Sequence, residues 1–315
     1  MGLNKMEAKL LYKRINEWKK NGLPKDFSPS AAPLPTLSQS PLPVTASLVS
    51  AKQLDDDFTA IQCNTSSSTT TERIFAAAAQ GDHLADAYLG ILYAKGSTAL
   101  KADPVLALKY SIIALPWLRT NAASGNRYAQ FVLASCHIGG RGVDKDEKEA
   151  FRFLKLAADQ GHAISQYNVG VYYQNGTVGN IDSELAFQYF QLAADQGLSL
   201  AEYTLGVLYQ SGKGFSVDDA KSFKYFKRAA DQGHPLALYN VGVYLRDGKG
   251  TSIDNEQSMR YFQLAATKGY AEAELAIGVL YQKGHGVSKC SAEALKHFIR
   301  AAEGGVALGA WHRFA

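Results

Sequence analysis

The chain has 315 residues, 46% of them apolar and 20% charged, which is long for a single core and implies either two domains or one repetitive array. Its net charge of +4, with the small excess split evenly about position 71, is too little for a phosphate-binding stripe and argues against a nucleic-acid partner. Cys63, Cys136 and Cys290 form no close pair, no stretch is apolar enough to span a bilayer, and the N-terminus lacks the apolar core of a signal peptide, so a cytoplasmic protein with free thiols is the default.

In chain order, residues 1–20 come first as a basic amphipathic helix. Leu3, Met6, Leu10, Leu11, Ile15 and Trp18 fall on one face, with Lys5, Lys9, Lys13, Arg14, Lys19 and Lys20 around it. Such a helix, over residues 3–20, suits a partner groove, peripheral contact with an acidic membrane surface, or the chain's own solenoid. Gly2 raises myristoylation, but Met6 stands where Ser or Thr is required. Residues 21–71 hold six of the nine prolines and the Ser-Thr run at 66–71, and are expected to be a disordered linker. Ser28-Pro29 and Ser40-Pro41 in it have the form of proline-directed phosphorylation sites.

From residue 72 the chain repeats itself. A small residue recurs at Gly90, Ala134, Gly170, Gly206, Gly242 and Gly278, and after the first interval the spacing is a constant 36. Each unit closes on alanines and a glycine, at Gly125, Gly161, Gly197, Gly233, Gly269 and Gly305, while Gly81 closes a half unit before the first. Within one unit Ala201, Leu205, Leu208 and Tyr209 make an apolar helical stripe, and Gly212-Lys213-Gly214 breaks it. A second helix then opens at a capping aspartate, Asp146, Asp182, Asp218 or Asp254, with Cys290 in the last copy, and ends where glycine can turn left-handed. Glycine inside the first helix costs about 1 kcal/mol relative to alanine, so its recurrence predicts a close approach of the second helix. The first unit carries eight extra residues, placed between its helices, and its second helix is expected to begin at Asp103-Pro104 and to kink at Pro116. Residues 307–315 match the start of a further first helix, so half units are expected to cover both ends.

This pattern resembles the Sel-1-like repeat family of the tetratricopeptide-like superfamily. Ala201, Leu205, Gly206, Tyr209, Gly212, Gly214, Ala229, Ala230 and Gly233 satisfy the family motif in one copy, and the likeness extends over residues 72–315. At the second-helix position where the family often has tryptophan stand Phe153, Tyr189, Tyr225, Tyr261 and His297, with Trp117 as the one match. The resemblance implies an all-α, right-handed α-solenoid of six helix pairs with half-repeat caps. It further implies a non-catalytic adaptor that holds a protein or peptide in a concave groove lined by the first helices. Two alternatives accompany it. One is a regulatory subunit of a membrane enzyme, like the fungal chitin synthase activators, although the chain ends Trp311-His312-Arg313-Phe314-Ala315 without their prenylation box. The other is a hydrolase-like small-molecule binder, although the paired cysteines of those relatives are absent.

The residues themselves offer little chemistry. The Gly-Lys-Gly segments lack the spacing and the preceding strand of a phosphate loop. His285, Cys290 and His297 fit no common zinc pattern, and His162 and His234 read as exposed turn residues of equivalent repeats. No catalytic, cofactor-binding or metal-binding residue is assigned, since the recurring carboxylates obey the repeat as caps and helix ends. A second face of the first helices does stand out. Tyr167, Tyr203 and Tyr239 recur there, with Val171, Val207 and Val243 and then Gln174, Gln210 and Arg246, and the resemblance places Asn168 and Asn240 beside the tyrosines. Stacked units would align these side chains as a ladder along the groove.

Overall fold

The computed structural model describes residues 49–63, 68–97, 100–212 and 216–306. The basic segment 1–20, most of the linker and the half unit at 307–315 lie outside the described residues. Those described form fourteen α-helices and no strand. Two precede the repeats, α1 (Ala51–Gln62) and α2 (Ser68–Ala79). Six pairs follow: α3 (His83–Lys95) with α4 (Pro104–Ala123), α5 (Arg127–Gly139) with α6 (Glu147–Asp159), and α7 (Ala163–Asn175) with α8 (Ser183–Asp195). The last three are α9 (Ser199–Ser211) with α10 (Asp219–Asp231), α11 (Pro235–Asp247) with α12 (Asn255–Thr267), and α13 (Ala271–Lys283) with α14 (Ser291–Glu303). None of the described helices is long and apolar enough to cross a membrane.

Two compact units share these helices, one holding residues up to Asp56 together with Glu72–Ala150, the other Asp57–Thr71 together with Phe151 onward. In the second unit α8, α10 and α12 each pack on the first helix of their own pair and on the first helix of the next. In the first, α4 packs on both α3 and α5.

The aspartates end the loops as the sequence predicts. Asp218 accepts from the amide of Lys221 at 2.9 Å, Asp182 from Leu185 at 2.9 Å and Asp254 from Gln257 at 2.9 Å. Cys290 holds the same extended backbone at the head of α14 but makes no side-chain cap bond. His162 and His234 correct the reading of exposed turn residues. Both are buried, at 2% and 5% exposure, and cap α7 and α11 through ring nitrogens facing the amides of Ser165 and Ala237 at 3.3 Å.

The recurring glycines are where the two helices of a pair close. A Cβ on Gly206 would stand 2.6 Å from the Phe226 ring, and one on Gly170 or Gly242 2.7 Å from Phe190 or Phe262, distances that real methyl groups do not adopt. The phenylalanines are fully buried and have nowhere to move. Ser222 and Ser258 lock the same contact by donating to the carbonyls of Gly206 and Gly242 at 2.8 and 2.7 Å.

Two expectations need correction. The linker expected to be disordered over 21–71 is helical in its final part, as α1 and the start of α2. The eight extra residues of the first unit mostly lengthen its second helix rather than the loop: α4 has 20 residues against 13 in α8, α10 and α12, and continues through Pro116. Consequently Tyr110, not Trp117, fills the aromatic position, stacked on Tyr93 at 5.7 Å as Tyr189 is on Tyr173 at 5.8 Å.

Candidate functional site

On the ladder face Tyr167, Tyr203 and Tyr239 are half-buried. Each leans on the buried phenylalanine of its own pair, with ring centroids 5.5 Å apart for Tyr167–Phe190, 5.7 Å for Tyr203–Phe226 and 5.5 Å for Tyr239–Phe262. The other side of the ring meets the residue that opens the next first helix. Tyr203 stacks on His234 at 4.8 Å, and Tyr239 meets Tyr270 edge-on at 5.1 Å. Burial keeps the His234 imidazole neutral by lowering its pKa to about 4. Burial also raises the Tyr203 phenol, although a hydrogen bond with Asn240 of the next repeat opposes the shift. Tyr270 is pushed up to about 12 by burial, then by Glu272 and the neighbouring tyrosines.

The tyrosines therefore join successive repeats and still present one edge to solvent. Asn168 and Asn240 are half-buried beside them. Gln174, Gln210 and Arg246 lie at the far ends of their helices and do not join this cluster. Arg246 is held by Asp247, with Nε 2.7 Å from the carboxylate.

The sequence reading missed a second column, four residues before the pair-closing position, where Asp86, Gln130, Gln166 and Glu202 are buried polar residues, Leu238 is apolar and Glu274 is half-buried. Gln130 and Gln166 donate to the carbonyls of Ala122 and Ala158, each at 3.2 Å, at the end of the preceding second helix. A carboxylate cannot donate, and where Glu202 takes the position Arg228 supplies the missing proton, reaching the equivalent carbonyl of Ala194 at 2.7 Å while pairing with Glu202 at 2.8 Å. Gln232 completes the set by donating to Glu202 at 2.7 Å. Glu274 instead meets His297 at 2.6 Å. At Gln130, Gln166 and Glu202 the column is thus an inter-repeat clamp. A constant period with an unexpected carboxylate was the signal that could have found it. Among the described residues no group of three or more His, Cys, Asp or Glu is placed to hold a metal ion.

With this geometry in view, comparison with known proteins decides the family. The Sel1 repeat model matches residues 83–114, 127–162, 163–198, 199–234, 235–270 and 271–306, well over half the chain. The chain belongs to the Sel1 repeat family. Sel1 repeat proteins are generally protein-interaction scaffolds and typically non-catalytic. Among solved structures, a Sel1 repeat protein from Oxalobacter formigenes is 29% identical, with a TM-score of 0.58 over 62% of this chain and 80% of that one. A protective antigen of uropathogenic Escherichia coli with an SLR fold is 21% identical, with a TM-score of 0.42 over 78% of this chain and 69% of that one. A Sel1 repeat protein from Klebsiella pneumoniae is 21% identical, with a TM-score of 0.41 over 66% of this chain and 97% of that one. Among curated proteins none matches significantly.

Proposed function

We propose that this Sel1 repeat chain is a non-catalytic cytoplasmic adaptor, and that it holds a protein or peptide partner on the first-helix face bearing Tyr167, Asn168, Tyr203, Tyr239 and Asn240. The observation that carries the reading is the half-buried tyrosine ladder: aromatic edges recur along one face at the repeat spacing, with Asn168 and Asn240 beside two of them, and are backed by Phe190, Phe226 and Phe262. Tyrosine held this way offers apolar area and a polar tip at little entropic cost on binding. The recurring carboxylates Asp182, Asp218 and Asp254 cap helices and Glu202 pairs with Arg228, structural roles that support a binding reading over a catalytic one. Free thiols at Cys63, Cys136 and Cys290 fit a reducing compartment.

The test is capture of partners by the tagged full chain, compared with a variant carrying Asn168→Arg and Thr204→Arg on the same face. A protein recovered stoichiometrically with the wild type should drop at least about tenfold with the variant, while the melting temperature moves by no more than about 3 °C. Equal recovery with both chains would remove the face from the interaction.

A further inference from the structure

The charged side chains of the second unit are spread unevenly between its helices. α7 has none, α9 only the buried Glu202 that pairs with Arg228, and α11 only Arg246 and Asp247, which pair with each other in its last turn. The second helices carry solvent-exposed ion pairs instead, among them Lys155 with Asp159, Lys227 with Asp231 and Arg260 with Glu256. On the ladder face, the positions of Tyr167, Asn168 and Val171 hold tyrosine, then threonine or asparagine, then valine in α9 and α11 as well, all half-buried and none charged. An occupant that brought a charge against this face would lose hydration and find no counter-charge. The face therefore selects an uncharged ligand.

Spacing and hydrogen-bonding groups narrow the class. Tyr203 stacks on His234, the residue that opens α11, so consecutive first helices are neighbours and their rungs stand about one packed-helix spacing apart, ~8–10 Å. A polyproline II helix advances about 9 Å in each three-residue turn and brings every third side chain back to the same face. A β-strand returns to the same face every two residues, about 7 Å, and falls out of step. An α-helix keeps step every seventh residue, but its carbonyls are already bonded internally. The ladder offers proton donors: a tyrosine hydroxyl at each rung, with the Asn168 and Asn240 amides beside two of them. Thr204, at the middle rung, spends its own hydroxyl on the Leu200 carbonyl at 2.8 Å. Polyproline II has no internal hydrogen bonds and proline has no N–H, so such a ligand presents carbonyl acceptors to match.

We propose that the tyrosine face of the second unit binds uncharged proline-rich segments of a partner protein, one polyproline II turn to each repeat, with apolar side chains against the rings and backbone carbonyls on the tyrosine and asparagine donors. This names the chemistry of the partner and rests on the adaptor reading above.

The probe is a fluorescent peptide of four Leu-Pro-Pro triplets with blocked ends, titrated into the full chain. It should bind saturably, with an affinity that changes less than about twofold between about 0.05 and 0.5 M salt, since no charges are paired. Glutamate in place of the leucines should weaken binding at least about tenfold through the uncompensated charge. Glycine in place of the prolines, which frees the backbone and adds N–H donors, should weaken it several-fold. Asn168→Arg with Thr204→Arg should cost at least about tenfold in affinity for the Leu-Pro-Pro peptide. An uncharged α-helical peptide with leucine at every seventh position should bind no better than the glycine control. Absence of saturable binding to the wild type, or equal or tighter binding of the helical peptide, overturns the proposal. So does self-association in sedimentation that the two arginines abolish, which would give the face to a second copy of the chain. The adaptor reading is judged separately: if the peptide fails while partner capture is still lost with the two arginines, only the ligand class falls, whereas capture that ignores them removes the face itself.

Discussion

At Gly206 the repeat's most constant feature reduces to one missing methyl group. The Phe226 ring fills the space a side chain would need, and the ring is fully buried. The one repeat with alanine in this column, at Ala134, is also the one whose second helix carries Leu154 in the phenylalanine column. The presence of Ala134 suggests that alanine is tolerated throughout; the Phe226 contact shows that tolerance depends on the partner. Gly206→Ala alone should destabilise by about 1–3 kcal/mol through overpacking. With Phe226→Leu the loss should be smaller than the sum of the single changes by about 1 kcal/mol, read as the coupling energy in urea titrations. Asp86, in the buried polar column, gives a second test. Burial raises its pKa to about 6, against the opposing pull of His83. A carboxylate raised in the folded state binds its proton more tightly there than in the unfolded chain, so its effect is least costly below about pH 4 and stability is lost as pH climbs through 6. Asp86→Asn should therefore stabilise the protein at pH 7 by on the order of 1–2 kcal/mol and change little at pH 4. Melting both proteins at each pH cancels His234, which titrates in both.

At the scale of helices, what repeats locally was legible and what departs from the repeat was not. The pairs, their capping aspartates and the closing glycines are written at fixed offsets, so each copy supports the others. The buried histidine caps escaped notice because two copies of a histidine after glycine read like any polar turn. The start of the first unit's second helix at Asp103 was legible, since Asp103 to Ala107 has the same offset as Asp182 to Ala186, but aligning the unit from Gly125 hid that its surplus lengthens that helix. The ladder was recognisable as a face, but its double duty was not, because nothing in Tyr203 itself tells of His234 in the next repeat. The final pair shows what one cap contributes. Cys290 has φ −148° and ψ 104°, close to the −142° and 90° of Asp254, and lacks only an acceptor. Cys290→Asp should add about 0.5–2 kcal/mol to α14, visible as slower hydrogen exchange across 291–303. Unchanged exchange would mean that the head of α14 is already satisfied by other groups.

For the whole molecule, α1 marks the limit of reading a repeat protein from its sequence: Leu54, Phe58 and Ile61 are buried although they sit beside a Pro/Ser-rich stretch. The repeats themselves make a stronger statement about how stability is distributed, because equivalent contacts recur every 36 residues and each pair depends chiefly on its neighbours. Deleting Ala163–Leu198 removes one full period. The new junction places Ser199 after His162, so the ring that faced the amide of Ser165 would face that of Ala201, as His234 faces Ala237. Glu202 then takes the register of Gln166, and Arg228, which now reaches the Ala194 carbonyl, would find that of Ala158 in the same place. The shortened chain should remain folded and melt cooperatively, with a urea m-value reduced roughly in proportion to the surface lost. Deleting half that length, Ala163–Asn180, should instead leave α8 without α7, exposing Phe190 and the alanines behind it, and give a broad transition at lower temperature. Circular dichroism melts of the two deletions decide the matter, and indistinguishable curves would show that the 36-residue register does not define the folding unit.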